Sequence, residues 1–422
     1  MTLIEDARKG IAEDFIKRCA EIEGIEVEKL LKLIANGHVV IPRNNLREIE
    51  PKAIGALVST KVNANIGTSG EYVNIEEEVE KAIVAQKYGA DAVMDLSTGG
   101  NIKEIRKRIM KVVNVPFGTV PIYEAARDCR KIVDIEEDEF LRVVEQHAKE
   151  GVDFMTIHAG VNWMSVERLR KSKRLLGVVS RGGAITIGWM IHNEKENPYY
   201  ENFDYLLEIL KGYDVTISLG DAFRPGCIHD AGDRAKYTEF IVLGELVEKC
   251  RTQGVQCIVE GPGHVPMDEI YPAVRMMKSV TKNAPLYLLG PIVTDVAVGY
   301  DHISAAIGAA IAGMAGADFI CYVTPSEHLG LPDVEDVKEG VIAAKIAAHA
   351  IDLVKEGQKE RAKLKDYEIS VARKSFEWEK QFSLAPDPEK ARRIWEKRRA
   401  KGDYCSMCGD LCAIKLVEDL LK

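Results

Sequence analysis

The fold of this 422-residue chain is decided by a strand–helix–strand unit that reads VNANIG (residues 62–67), IEEEVEKAIVAQKY (75–88) and AVMDLS (92–97). The outer two stretches are apolar and rich in strand-forming residues, whereas the middle stretch repeats its apolar residues with the period of a helix. Strands that alternate with helices predict a parallel sheet, because each helix carries the chain back to begin the next strand in the same direction.

The same rhythm continues through the middle of the chain. Helix-period segments recur at residues 138–150, 203–213 and 236–253. Further strand-like runs are FGTVPIY (117–123), FMTIHAG (154–160), GVVSRGG (177–183), VTISLGD (215–221), CIVEGPGH (257–264), LYLLGPI (286–292) and FICYVTP (319–325). Eight strand–helix units close a parallel barrel, so one of the nine runs is expected outside it, and the sequence does not say which.

We therefore predict an α/β protein with three parts. Residues 1–58 form a small N-terminal α/β segment, 59–356 form a (β/α)8 TIM-type barrel with a substrate and metal site, and 357–422 form a helical arm. The net charge is -9, and the basic residues are spread along helix faces, which argues against nucleic-acid or membrane partners. The start MTLIEDARKG lacks an apolar leader, and six cysteines are scattered singly, so we expect a cytoplasmic protein.

The C-terminal arm ends in a cysteine motif, CSMCGDLC at residues 405–412, which holds three of the nine cysteines. Three thiolates at Cys405, Cys408 and Cys412 can hold three corners of a 4Fe-4S cluster and leave the fourth iron open to a small molecule. A structural zinc site is the alternative, but it needs four ligands, and no histidine follows His349. Unligated thiols are the remaining possibility.

Polar residues stand at the C-terminal end of each strand-like run, where a (β/α)8 barrel places its chemistry. They are Asn65, Asp95, Tyr123, His158, Ser180 with Arg181, Asp221 with Arg224, Glu260 with His264, Tyr287, and His328.

Two glycine-rich turns, SRGG (180–183) and GDAFRPG (220–226), let backbone amides approach a ligand while their arginines offer bidentate donors. This suits a phosphate or a polar heterocycle. His264 and His328 are a candidate pair of zinc or iron ligands, with His302 competing for the same role.

Several longer motifs together resemble the phosphomethylpyrimidine synthase family of thiamin biosynthesis, an atypical branch of the radical S-adenosylmethionine enzymes. They are NANIG (63–67), VMDLSTGGNI (93–102), TIHAGV (156–161), VSRGG (179–183), EGPGHVPM (260–267), TPSEHLGLP (324–332) and CSMCG (405–409). The resemblance implies that 5-aminoimidazole ribotide is rearranged into 4-amino-5-hydroxymethyl-2-methylpyrimidine phosphate. It also implies a 4Fe-4S cluster, S-adenosyl-L-methionine, an electron donor such as flavodoxin or ferredoxin, and a homodimer.

The resemblance also implies roles for individual residues. Cluster ligands fall on Cys405, Cys408 and Cys412, and His264 and His328 hold the barrel metal, zinc or iron. Substrate contacts fall on Asn65, Met94, Tyr123, His158, Ser180, Arg181, Gly182, Asp221, Ala222, Phe223, Arg224, Glu260 and Tyr287.

Three departures from the family pattern leave the product open. Three residues, not four, separate Cys408 from Cys412, GDAFRPG replaces GDGLRPG and so places Phe223 beside the expected ribotide site, and Val298 replaces a proline. A related group of enzymes makes 5-hydroxybenzimidazole, a cobamide precursor, from the same ribotide. Two other function classes remain: an iron-sulfur electron carrier that is not an enzyme, and a metal-dependent lyase that uses no radical.

Overall fold

The computed structural model of the protein describes residues 1–129, 131–400 and 402–420. It has two compact units, Met1–Gly357 and Gln358–Lys422. Within the described ranges, the helices lack the combination of length and apolar character that crossing a membrane requires.

The first unit begins with a small α/β segment. It contains α1 (Leu3–Arg8), α2 (Asp14–Glu23), α3 (Val27–Ala35) and an antiparallel pair of strands, β1 (Val39–Val40) and β2 (Ile54–Gly55). Asp153 and Asp214, which lie just before two barrel strands, accept hydrogen bonds from the backbone of Asn44 and Leu3. The segment is therefore tied to the N-terminal end of the barrel.

The predicted parallel barrel is confirmed. Its eight strands are β3 (Lys61–Ile66), β4 (Ala92–Asp95), β5 (Phe117–Thr119), β6 (Phe154–Ile157), β7 (Thr216–Leu219), β8 (Cys257–Gly261), β9 (Leu286–Leu289) and β10 (Phe319–Cys321). All neighbours are parallel, and Phe319 of β10 aligns with both Tyr287 of β9 and Lys61 of β3, which closes the barrel.

The ninth strand-like run, residues 177–183, is the one outside the barrel. Its Val178 and Val179 lie in a loop, and Ser180 caps a helix that begins at Arg181, accepting a hydrogen bond from the backbone of Gly183. Strands β6 and β7 pair directly with each other, from Phe154 with Thr216 to Ile157 with Leu219. Because that pairing uses the free edge of each strand, no position is left for another strand between them.

Helices surround the barrel, and those expected from periodicity are present. They are α4 (Ile75–Lys87), α5 (Ile102–Met110), α6 (Ile122–Asp128), α7 (Glu137–Lys149), α8 (Trp163–Arg170), α9 (Arg181–Asn193), α10 (Pro198–Glu201), α11 (Phe203–Tyr213), α12 (Arg234–Gln253), α13 (Met267–Val280), α14 (Asp301–Ala315) and α15 (Val334–Asp352). Inside the barrel, the Phe154 ring packs against Gly118, where a Cβ would lie 2.3 Å from the ring. Glycine is thus needed at residue 118 for space.

The second unit is helical. It contains α16 (Lys359–Lys374), α17 (Trp378–Leu384), α18 (Pro388–Lys397) and α19 (Ala413–Leu420). A cluster of aromatic rings holds α17 and α18 together: Trp378 and Phe382 both pack on Trp395, with ring centroids 5.5 and 5.7 Å away. This unit carries the cysteine motif.

Candidate active site

A cavity of about 80 Å³ lies at the C-terminal ends of the barrel strands. Each strand, or the loop directly after it, contributes to its wall. Seven of the thirteen residues expected to contact substrate line it: Asn65, Met94, Tyr123, His158, Arg224, Glu260 and Tyr287. The barrel thus brings together side chains that lie far apart in sequence.

A second cavity, of about 210 Å³, shares Asn65, Leu96 and Leu289 with the first. Arg181 lines it, and the Arg181 guanidinium lies over the ring of Tyr123, 5.2 Å from the ring centroid. Burial raises the pKa of Tyr123, so this phenol stays protonated at neutral pH. Arg181 therefore places a positive charge beside both cavities.

Glu260, at the end of β8, is held by two hydroxyl groups on neighbouring strands. Thr156 of β6 and Ser218 of β7 donate to the same carboxylate oxygen, Oε1, at 2.7 and 2.9 Å. The backbone N–H of Asp221 donates to the other oxygen, Oε2, at 3.3 Å. Burial raises the pKa of Glu260, against the opposing effect of these donors and of Arg224. The Glu260 carboxyl group is thus fixed in place, and burial favours its protonated form.

On the next strands around the barrel, β9, β10 and β3, a row of hydrogen bonds fixes Asn65 and Tyr287. The side-chain amide of Asn63 donates to Asn65 Oδ1 and to the Tyr287 hydroxyl, both at 2.7 Å. The amide of Asn65 donates in turn to Cys321 Sγ at 3.0 Å. Burial raises the pKa of Cys321 to about 12, so the thiol is protonated. These groups present neutral donors and acceptors to the cavity.

His158 is buried between two glycines. A Cβ on Gly182 would lie 2.3 Å from its Cε1, and one on Gly220 would lie 2.9 Å from its Cδ2. The Ser180 hydroxyl lies 3.0 Å from Nε2. Burial, with Arg224 nearby, lowers the pKa of His158 to about 3. This imidazole is therefore neutral at physiological pH.

Five expected contact residues line neither cavity: Ser180, Gly182, Asp221, Ala222 and Phe223. The Asp221 carboxylate forms an ion pair with Lys236 of α12. Glu239, also on α12, accepts from the backbone N–H of Ala222 at 2.8 Å and of Phe223 at 3.2 Å. The Phe223 side chain is fully buried. The ring belongs to the main apolar core of the first unit, and its place beside the ribotide stays a prediction.

His264 and His328 come together although they follow different strands, with ring centroids 5.2 Å apart. His264 Nδ1 lies 2.8 Å from Asp295 and His328 Nδ1 lies 3.1 Å from Asp301. A carboxylate on Nδ1 orients an imidazole so that Nε2 can bind a metal. The competing His302 stacks on Tyr300 and lines a separate small cavity. The donor set fits a zinc or iron ion.

The three cysteines of the motif lie within consecutive tight turns of the second unit. Cys408 and Cys412 flank a short 3-10 helix, Gly409–Leu411, and the N–H of Gly409 donates to the carbonyl of Cys405 at 3.3 Å. Among the described residues, no three His, Cys, Asp or Glu side chains are already arranged around one metal position. The three thiols in one short segment nevertheless fit a cluster by their chemistry.

Comparison with known proteins decides the family. The model of the Radical SAM ThiC family matches residues 2–419. The chain belongs to this family. Phosphomethylpyrimidine synthase of Archaeoglobus fulgidus is 77% identical over the whole of both chains. That of Methanocaldococcus jannaschii is 58% identical over the whole of both chains, and phosphomethylpyrimidine synthase 2 of Methanosarcina barkeri is 57% identical over 100% of this chain and 99% of its own. The protein is accordingly a ThiC-family enzyme.

Sequence reasoning missed the residues that support the ThiC-family site. Thr156 had a usable signal, because it stands on β6 two positions before His158, which directly follows that strand, and so faces the same side. Lys236 and Glu239 lie in the predicted helix of residues 236–253, where charged residues are usually exposed, yet both are buried. Asp295 and Asp301 gave no signal of contact with the histidines, since their partners lie on other elements.

Proposed function

We propose that this ThiC-family enzyme converts 5-aminoimidazole ribotide into 4-amino-5-hydroxymethyl-2-methylpyrimidine phosphate in thiamin biosynthesis. The observation that carries the proposal is the convergence of Arg224, Glu260 and neutral His158 on one barrel cavity. This set offers a cation for a phosphate, a carboxyl group that can exchange a proton and a neutral hydrogen-bonding ring. The names of the relatives support the same product.

Arg224 and Arg181 are the groups we assign to the ribotide phosphate. Both guanidinium groups border the cavities, and a charged hydrogen bond is worth about 1.5 to 3 kcal/mol. Glu260 and Tyr287 stand side by side on the adjacent strands β8 and β9, where both line the first cavity and orient the aminoimidazole ring. Asn65 and Met94 complete the wall. In this proposal the five expected contact residues that line neither cavity act on the substrate through their backbone or through residues that they position. They are Ser180, Gly182, Asp221, Ala222 and Phe223.

The cofactors we propose are a 4Fe-4S cluster on Cys405, Cys408 and Cys412, S-adenosyl-L-methionine, and zinc or iron on His264 and His328. When bound, the cluster would supply the electron for reductive cleavage of S-adenosyl-L-methionine, and the barrel metal would supply a Lewis acid. Flavodoxin or ferredoxin is the expected electron donor. The chain's own part is to bind and orient the substrate and to keep water away from reactive species.

We also propose a homodimer, formed through α14. Residues 302–315 of this helix contain no Asp, Glu, Lys or Arg, and Ile303, Ile307 and Met314 on its outer face are 49%, 45% and 67% exposed. A helix that is apolar on all sides is normally buried. Three neighbouring helices, α13, α14 and α15, form this outer surface. Helices pack about 10 Å apart and rise about 1.5 Å per residue, so the surface is roughly 30 Å wide and 22 Å long. That approaches the roughly 800 Å² per partner of a stable complex.

An anaerobic incubation of reconstituted enzyme with reductant, S-adenosyl-L-methionine and the ribotide tests the activity. We expect the mass of the hydroxymethylpyrimidine phosphate together with 5'-deoxyadenosine. The mass of 5-hydroxybenzimidazole would instead favour the cobamide branch. Deoxyadenosine formation without consumption of the ribotide would refute the substrate, and reversible reduction with no cleavage at all would favour an electron carrier.

A further inference from the structure

The contact between Ser180 and His158 determines which nitrogen of the histidine carries its proton. Both side chains are almost fully buried, at 1% and 2% exposure. Ser180 Oγ lies 3.0 Å from His158 Nε2 and already accepts a hydrogen bond from the backbone N–H of Gly183 at 3.2 Å. A serine hydroxyl has one hydrogen to donate. In the described part of the chain, His158 Nε2 is the acceptor within reach of that hydrogen.

The two neutral tautomers of His158 differ in how many buried polar groups they leave unpaired. If Nε2 carries the proton, it donates to Ser180, and then both the Ser180 hydrogen and His158 Nδ1 lack partners among the described residues. If Nδ1 carries the proton, Ser180 donates to Nε2 and a single group, Nδ1–H, is left. Each unpaired buried polar group is costly, so the second tautomer is favoured.

Gly182 supplies an independent observation about Nδ1. A Cβ at this position would lie 2.5 Å from Nδ1. Gly182 lies within helix α9 and does not have a positive φ, so glycine is needed here for space and not for backbone conformation. The backbone of Gly182 thus packs directly against the Nδ1–Cε1 edge of the ring, and a side chain at this position would displace His158.

We propose that Ser180 is a positioning residue that holds His158 in the neutral form with its proton on Nδ1, so that Nε2 is engaged as an acceptor and the imidazole does not act as a base. The consequence for ribotide binding rests on the proposed function, in which the His158 ring lines the substrate cavity. The tautomer itself does not depend on the substrate. The resemblance assigned Ser180 a direct substrate contact, whereas here its hydroxyl acts through His158.

The test is the ¹⁵N NMR spectrum of full-length protein whose histidine rings are labelled, with the His158 signals identified by their loss in His158→Gln. We expect a protonated Nδ1 and an unprotonated Nε2 in the native enzyme near neutral pH. Ser180→Ala should populate the Nε2–H form, because Nε2 then has no hydrogen to accept. Thr186→Val is the matched control. It removes a buried hydroxyl from helix α9, which Ser180 caps, and that hydroxyl donates to the Gly182 carbonyl and not to His158. This variant should leave the tautomer unchanged.

A native enzyme with the proton on Nε2 would overturn the proposal, as would a Ser180→Ala variant that keeps it fully on Nδ1. Binding provides a second readout. Ser180→Ala should weaken ribotide binding about 2- to 10-fold, the effect of one neutral hydrogen bond, and Ser180→Thr, which keeps the hydroxyl, should restore it. If the native enzyme has the Nδ1–H form but does not bind the ribotide, the proposed substrate fails and the tautomer assignment stands.

Discussion

The imidazole rings of His264 and His328 lie with their centroids 5.2 Å apart, and each directs Nδ1 at its own carboxylate, Asp295 or Asp301. The two rings are therefore oriented by the protein before any metal binds. His302 differs from these two histidines, because its ring stacks on Tyr300. The arrangement of His264 and His328 also extends the candidate metal site to two acidic residues that determine how the histidines are held.

Replacing either histidine should lower the content of zinc or iron. We expect His264→Ala and His328→Ala each to lose most of the metal that is separate from the cluster, measured by elemental analysis. Asp295→Asn and Asp301→Asn should weaken metal affinity about 10- to 100-fold. His302→Ala is the control, and an equal loss of metal in that variant would refute the pairing.

Replacing the motif cysteines should abolish the cluster. Anaerobically reconstituted enzyme should bind about four irons per chain in addition to any barrel metal, and Cys405→Ala, Cys408→Ala and Cys412→Ala should each lose them together with deoxyadenosine formation. Cys129→Ala provides a control outside the motif, at a half-buried thiol. Full cleavage activity in any of the three motif variants would show that the cluster is held elsewhere.

The hydroxyl groups of Thr156 and Ser218, which donate hydrogen bonds to Glu260, should affect how the reaction rate depends on pH. Both hydrogen bonds lower the pKa of Glu260 against the effect of burial, so Thr156→Val and Ser218→Ala should each raise it. The limb of the rate profile that reports this carboxyl group should move to higher pH in both variants. Thr216→Val is the matched control, because its buried hydroxyl has no partner among the described residues. A profile that moves equally in the control would count against the assignment.

The buried group of Asp221, Lys236 and Glu239 should make stability depend on pH. Burial raises the pKa of Glu239 to about 8, from 4.5. Because the folded-state pKa is the higher one, the stabilisation is complete below about pH 4.5 and is lost as the pH rises through 8. Denaturant unfolding of Glu239→Gln, which mimics the protonated acid, should show a smaller decline between pH 5 and 8 than wild type.

Lys236→Met provides the complementary measurement on the same group. It leaves the buried Asp221 carboxylate without its cation, which should cost about 3 to 5 kcal/mol of unfolding free energy. Two results would contradict the role assigned to Lys236 and Glu239 in holding the Asp221 loop. One is an identical pH dependence of stability in wild type and Glu239→Gln, and the other is an undiminished stability of Lys236→Met.

A charge on the outer face of α14 should prevent dimerisation. We expect Ile307→Glu to have the mass of a single chain by light scattering, because a buried, unpaired carboxylate is costly in an apolar interface. Ile241→Glu is the matched control: Ile241 is a similarly exposed isoleucine, at 51% against 45%, on the barrel helix α12. A wild-type enzyme that is a monomer, or dissociation in the control as well, would refute the interface.

The sequence by itself determined the barrel, its order of strands and helices, and the end at which its polar residues gather. Period-2 and period-3.6 patterns report which side of a strand or helix is buried, and that information is local. It also supplied the cysteine motif, whose three members lie within eight residues. The sequence did not show that residues 177–183 lie outside the barrel. Whether such a run becomes a strand depends on whether a neighbouring strand has a free edge to pair with.

Tertiary structure decided which residues support the site. Lys236 and Glu239 stand on a helix surface that, by pattern, belongs to solvent, and they are buried because the loop with Asp221 folds over them. The pairing of His264 with His328, the carboxylates on both, and the contact of Ser180 with His158 join elements that are distant in the chain. Hydrogen bonds and ion pairs act over a few ångströms in space, so the sequence can supply their members but only the fold can say which of them meet.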